Sequence, residues 1–446
     1  MALTGLDIFK LLPKTNCGDC GVPTCLAFAM KVAGKQAALE ECPHVTEEAT
    51  EEMGAASQPP QKLVTIGAGE AAIRIGNETV MFRHDEKFHH PPGIAMLVND
   101  TDELDAKAQR IKALTFERVG EVIAVDSVAL NCASGDGAKF KEAAATLQGG
   151  LGLPMVLIAE STSQLAEAAK ALADSRPLLW ERKGPSDELI QLAAETKLPI
   201  VVEGDLAKCD ADVQKAKGAG VEEMVLCPGE ASPSEILGFL TQSRRAAIRS
   251  SYRPLGFPVL ARAWEQEPNV QSLEACQYVA KYAGIVVMEE DGPEYVLPVL
   301  TMRQSIYIDP QKPVQVEPKL YEVGEPDNKA PLLVTTNFSL TFYTVLGEVE
   351  ASRVPTRVLA VDTEGTSVLT AWAADKFGPE QIKAAMQKSE ALEKLDEAHR
   401  RLVIPGLVAV ISGELQEELG CGVIVGPKEA GAIPAFLKNE WGRLVG

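Results

Sequence analysis

The sequence predicts an α/β protein: a (β/α)8 TIM-type barrel, with a small cysteine-rich unit before it and a Rossmann-like open sheet after it. Three observations carry that prediction. The chain has 446 residues, enough for several cores, with 46% hydrophobic and 24% charged residues, as an ordinary globular protein has. Short apolar, β-branched runs alternate with amphipathic helical stretches eight times between Gly93 and about Ile308. Beyond a Pro-rich stretch the alternation resumes with only four or five runs, too few to close a barrel.

The first element is the segment 1–57, with an amphipathic start (GLDIFKLLP), four cysteines, a helix-like LAFAMKVAG run and an acidic VTEEATEEMG tail. AASQPPQK follows with linker composition, since Pro59 and Pro60 stop any helix. Residues 61–92 read as a cover or hairpin before the first barrel strand, and the barrel is expected over 58–320. Its strands are read at GIAMLVN from Gly93, EVIAVDS from Glu121, PMVLIAE from Pro154 and PLLWER from Pro177. LPIVVEG from Leu198, EEMVLCP from Glu222, FPVLARA from Phe257 and AGIVVMEE from Ala283 complete the eight. Such continuous apolar runs suit strands buried on both faces. Helical stretches such as STSQLAEAAKALADS and SPSEILGFLTQSRRAAI open with Ser or Thr where a cap belongs. The last domain is expected over 325–446, with strands at PLLVTT, TRVLAVDT, GLVAVISG and CGVIVGPK.

Charge and motifs exclude several functions. With 43 basic against 63 acidic residues the net charge is −20, which opposes nucleic acid and anionic lipid alike. No apolar run approaches the ~18 residues of a membrane span and no signal-peptide core is present, so a cytoplasmic location is expected. Neither G-x-G-x-x-G after PLLVTT nor G-x-x-x-x-G-K-[ST] occurs, which weighs against dinucleotides and ATP.

Four of the nine cysteines, Cys17, Cys20, Cys25 and Cys42, make a C-x2-C-x4-C-x16-C pattern. A three-plus-one arrangement suits a 4Fe-4S cluster, whereas zinc sites more often pair two C-x2-C knuckles; zinc is the alternative. Gly18 and Gly21, each following a ligand, let backbone N–H groups turn toward sulfur. At the expected strand mouths of the barrel lie Asn99, Asp126, Glu160, Glu181, Glu203, Asp205, Arg262, Glu289 and Glu290. No acid–base pair stands out among them, and His84, His89 and His90 read as an exposed loop, so no catalytic residue is assigned.

NCGDCGVPTCLAFAMKVAGKQAALEECP resembles the small iron-sulfur module of anaerobic redox proteins. The order of cluster module, barrel and open α/β domain is similar, over essentially the whole chain, to the large subunits of corrinoid iron-sulfur proteins of the acetyl-CoA pathway. That resemblance implies a cobalamin-type corrinoid in the last domain. It also implies a small partner subunit in a heterodimer, a methyltetrahydrofolate-dependent methyltransferase as methyl donor and acetyl-CoA synthase as acceptor. The cluster would then reactivate Co(II), and Co(I) would be the methyl acceptor. Segments matching the family's ring-holding stretches supply Asn337, Ser339, Leu340, Thr341, Thr370, Ala371, Trp372, Ala373 and Phe436, with Thr370 nearest the cobalt face. The expected strand ends add Gly365, Thr366, Ser367, Ser412, Gly413, Gly426 and Pro427, although any such sheet carries these residue types for its turns.

The lone histidine of this domain, His399, lies in LEKLDEAHRRL rather than a D-x-H-x-x-G motif, so the cobalt is expected to lack a protein histidine ligand. Two other functions fit the same residues: a self-contained pterin-dependent methyltransferase, and an electron-transfer adaptor without corrinoid.

Overall fold

The computed structural model describes residues 5–33, 37, 39–46 and 59–445; VTEEATEEMG from residue 47 on and the first half of AASQPPQK lie outside the described residues. The chain divides into two compact units, one comprising residues up to 116 with 123–307, the other 117–122 with 308 onward.

In the first unit eight parallel strands close into a barrel: β1 (Gly93–Asn99), β2 (Ser127–Asn131), β3 (Met155–Ala159), β4 (Leu178–Glu181), β5 (Ile200–Glu203), β6 (Met224–Cys227), β7 (Val259–Arg262) and β8 (Ala283–Met288). Each pairs with its neighbour in chain order and β8 returns to β1. Burial is nearly continuous along these strands because helices cover the outside and side chains fill the inside. The helix Pro233–Arg249 begins as its sequence suggested: Ser232 Oγ accepts from the Glu235 N–H, and the Glu235 carboxylate takes the Ser232 N–H at 2.9 Å. A two-stranded antiparallel hairpin, Val64–Ile66 with Ile73–Ile75, precedes β1.

One barrel strand differs from the sequence reading. EVIA, at Glu121–Ala124, pairs with Thr115–Arg118 in a separate two-stranded ribbon, and the second barrel strand is SVALN from Ser127. Val122 is 73% exposed, whereas Ser127–Leu130 is wholly buried. Burial, not apolar composition alone, decides which run joins the barrel.

The second unit is a five-stranded sheet of β9 (Leu320–Val323), β10 (Leu332–Thr336), β11 (Thr356–Val361), β12 (Arg401–Ile404) and β13 (Gly422–Val425), ordered β9-β11-β10-β12-β13. All pairs are parallel except β9 on β11. Two corrections fall here. GLVAVI from Gly406 is a 3-10 segment, and the strand is RLVI just before it; Pro405 cannot donate to a ladder and ends the strand. Edge strand β9 lies within the Pro-rich stretch that precedes PLLVTT, where no strand is expected from the sequence. Apolar cores fill both faces of the sheet: Leu332, Val334 and Phe377 on one, Leu333, Phe342 and Trp441 on the other.

Candidate functional sites

The cysteine motif folds around a small apolar cluster of Ile8, Leu12, Val22, Phe28 and Leu39, into which Cys25 and Cys42 are buried and against which Cys20 packs. Cys17 is exposed. Gly18 and Gly21 adopt φ of +82° and +73°, the left-handed region that favours glycine, and the Gly21 N–H closes a turn on Gly18 O at 2.9 Å. Asn16 pins this turn to the helix Cys25–Ala33: its Oδ1 accepts the Cys25 N–H at 2.8 Å, and its own N–H donates to Cys25 Sγ at 3.4 Å. Four reduced thiols on one tight loop and its packing core, with a backbone donor already aimed at sulfur, fit an iron-sulfur cluster.

The spacing alone missed Asp19 and His44, whose Oδ2 and Nε2 meet at 2.6 Å beside Cys17. Bonds from His44 and Cys17 hold the Asp19 carboxyl below its usual range. Nothing in the linear pattern signals this pair, because the fold brings residue 44 back to the loop.

The second site lies at the carboxyl ends of β10 and β12. The chain leaves β10 toward β11 on one side and later adds β12 and β13 on the other, which makes the β10/β12 boundary the topological switch point. A cleft of about 390 Å³ opens there, lined by Leu333, Val334 and Thr335 from β10, Val403 and Ile404 from β12, and the loops and helices that follow. Gly426 and Gly406 let two loops pass closely. A Cβ at Gly406 would stand 2.5 Å from Gly426 O, and one at Gly426 would stand 2.9 Å from Val403 Cγ1. Leu340, Leu369 and Leu407 line the cleft yet remain 42–48% exposed, so its rim is apolar. Thr335, one of the lining residues, has a buried hydroxyl with no hydrogen-bond partner among the described residues. An apolar-rimmed cleft with glycine-allowed backbone approach fits a large flat ligand.

Of the residues expected to hold such a ring, Leu340, Thr341, Ser367, Gly426 and Pro427 line the cleft. Thr370 is exposed, with its hydroxyl 3.1 Å from that of Ser367; Trp372 is 41% exposed and Ala373 is also on the surface. Ala371 is buried in one core and Phe436 in the other. Ser412 and Gly413 begin a helix, Ser412–Leu419, rather than ending a strand. Buried Asn337 is a keystone: its Oδ1 accepts from Thr363 N (2.9 Å), Thr363 Oγ1 (3.0 Å) and Gly365 N (3.1 Å), while Nδ2 donates to Gln315 and Asp362. It fixes the loop holding Gly365, Thr366 and Ser367. Gly365 itself has φ +70°. Ser339 is buried at the start of the helix Ser339–Ser352. Sequence reasoning missed Phe338, Thr344, Val345, Leu369 and Ile433, helix and loop residues that reach the cleft only through the fold.

None of the five histidines lines the cleft. His399 ends a 3-10 turn, is half-buried, and has a buried Nδ1 with no partner among the described residues. It precedes β12, at the end of that strand opposite Ile404.

In the barrel, Asp126 lies before β2, where it accepts the Ile94 N–H at 2.9 Å and pairs with Arg303; it is not at the strand mouth. Glu181 takes the N–H groups of Thr162 (2.9 Å) and Ser186 (2.8 Å), and Glu203 takes the Trp180 indole N–H at 2.6 Å. These carboxylates fasten loops. His84, His89 and His90 form no group of three candidate metal ligands among the described residues.

A family model described as CO dehydrogenase/acetyl-CoA synthase delta subunit matches residues 63–437, and one described as an Fe-S cluster matches residues 12–44. The chain is 43% identical to the corrinoid/iron-sulfur protein large subunit of Moorella thermoacetica, over 98% of this chain and 99% of that one. It is 34% identical to the acetyl-CoA decarbonylase/synthase complex subunit gamma of Methanopyrus kandleri, over 98% of each. Dihydropteroate synthase from Thermus thermophilus aligns with 55% of this chain and 100% of its own at 17% identity and a TM-score of 0.39, a likeness too slight to bear on function.

Proposed function

This chain belongs to the CO dehydrogenase/acetyl-CoA synthase delta subunit family, and from that premise we propose that it works as a methyl carrier. The observation that carries the reading is the switch-point cleft of the last domain, with its apolar rim, the close backbone approach at Gly406 and Gly426 and no histidine in its lining. In this reading the cleft holds a cobalamin-type corrinoid. Leu340, Thr341, Ser367, Gly426 and Pro427 contact the ring, Asn337 positions the Gly365–Ser367 loop, and Thr370 and Trp372 extend the exposed rim. When bound, the corrinoid would supply a cobalt able to carry a methyl group, and a lining without histidine would offer that cobalt no imidazole. The protein's own part is to seat the ring, leave one face open and withhold an imidazole.

Cys17, Cys20, Cys25 and Cys42 would hold a 4Fe-4S cluster, which would supply one-electron reducing chemistry for the corrinoid. The expected division, 1–57 for the cluster, 58–320 for the barrel with its cover and 325–446 for the corrinoid, is kept with one change: the last part takes in residues 308 onward, because β9 belongs to its sheet. A small partner subunit completes a heterodimer; a methyltetrahydrofolate-dependent methyltransferase donates the methyl group and acetyl-CoA synthase accepts it. Among the described residues no helix is long and apolar enough to cross a membrane.

The test is single-turnover transfer. The chain, purified without oxygen and reduced, is mixed with labelled methyltetrahydrofolate, with and without a separate methyltransferase. Label on the corrinoid only when the methyltransferase is present supports a carrier. Transfer by the chain alone would make it a self-contained methyltransferase, and absence of corrinoid would leave an electron-transfer adaptor.

A further inference from the structure

A second cavity, of about 550 Å³, opens in the first unit at the amino-terminal ends of β6 and β7. Among the described residues its charged lining is Lys62, Lys217 and Arg253 against one carboxylate, Glu222. On a chain of net charge −20, three cations converging on one concavity reverse the local sign. Lys217 extends from the end of the helix Leu206–Gly218 and places Nζ 5.2 Å from the centre of the Phe257 ring. Among the described residues, neither the Lys217 nor the Lys62 ammonium has a carboxylate partner, although exposed lysines elsewhere do, as Lys141 does with Glu167 at 3.3 Å. Burial, and then the neighbouring Lys62 and Arg253, pull the Lys217 ammonium below its ordinary range, while the Arg253 guanidinium also donates to the Pro59 carbonyl. Pro60, Leu63 and Phe257 give the cavity apolar walls.

We propose that this cavity binds a phosphorylated small molecule, its phosphate oxygens between Lys62, Lys217 and Arg253 and its apolar body against Phe257 and Pro60. Lysine ammoniums serve phosphate as point charges and the arginine adds a permanent positive charge, so the set suits a multivalent oxyanion. The volume lies within the ~300–1,000 Å³ typical of small-molecule sites. The site is independent of the corrinoid cleft, which lies in the other unit.

The test is calorimetric titration of the full chain, with its cofactors in place, using inorganic pyrophosphate as the probe. One equivalent should bind with a dissociation constant below about 1 mM, weakening as salt is added. Lys217→Met and Lys62→Met should each weaken binding about tenfold or more. Lys141→Met should leave it unchanged. Melting curves of the free variants establish that they fold, and Lys62→Met, in the segment before the barrel, keeps the test intact if Lys217→Met does not. No saturable binding of pyrophosphate, or binding unaffected by both substitutions, would overturn the proposal. Citrate binding as tightly as pyrophosphate would overturn its assignment to phosphate.

Discussion

Replacing Asn337 with alanine should unhinge the switch-point cleft without touching its lining. The side chain is 1% exposed, and its Oδ1 is the acceptor for the N–H groups of Thr363 and Gly365. Alanine strands both donors in a buried site. Thr363 Oγ1 keeps its bond to Thr366 O at 3.1 Å, so the hydroxyl is not orphaned. Each stranded N–H costs about 1–3 kcal/mol, giving about 2–6 kcal/mol against the ordered loop. Asn337→Asp keeps the acceptor but loses the donor to Asp362 and sets a carboxylate against that one, so it should also weaken the loop, by less. Urea unfolding of the second unit, followed by the tryptophan signals of Trp372 and Trp441, measures the cost, and corrinoid retention after gel filtration measures the consequence. Asn337→Ala with unchanged unfolding and full corrinoid content would refute the keystone role.

Other expectations follow from the same geometry. Cys42→Ala, at a buried cysteine, should lower iron content well below that of the parent by elemental analysis; zinc in place of iron in the parent would show that the motif holds another metal. Gly406→Ala places a Cβ 2.5 Å from Gly426 O and should reduce corrinoid retention at least tenfold, read by absorption, while the iron-sulfur signal stays. Burial pushes the Cys209 thiol up to about 12 from its ordinary 9.0, so its contribution to stability is complete below pH 9.0 and is lost as pH rises toward 12. Urea midpoints of the parent should therefore fall on that alkaline limb more than those of Cys209→Ala, and identical slopes would contradict the assignment.

The barrel was legible because parallel strands wrapped by helices must be apolar on both faces, and seven of its eight runs are where the apolar pattern puts them. The eighth failed because EVIA and SVALN are close neighbours in sequence and equally apolar to the eye; what separates them is that Val122 faces solvent while Val128 and Leu130 are buried. RLVI was hidden behind the charged run before it, and GLVAVI imitated a strand. Edge strand β9 is half-buried and pairs on one side only, so its apolar signal is thin. For the cleft, strand-end glycines and threonines were readable from topology. Leu369 and Thr344 were not, since what places them is the crossing of segments distant in sequence.

Whether the chain carries a corrinoid whose cobalt has no histidine beneath it is decided by one electron paramagnetic resonance spectrum. The chain is grown with heavy-nitrogen histidine, purified without oxygen and poised in its cobalt(II) state. A cobalt(II) corrinoid signal is expected, with any nitrogen splitting unaltered by the label. No cobalt signal, or a splitting that changes with the label, would contradict the methyl-carrier reading of the cleft.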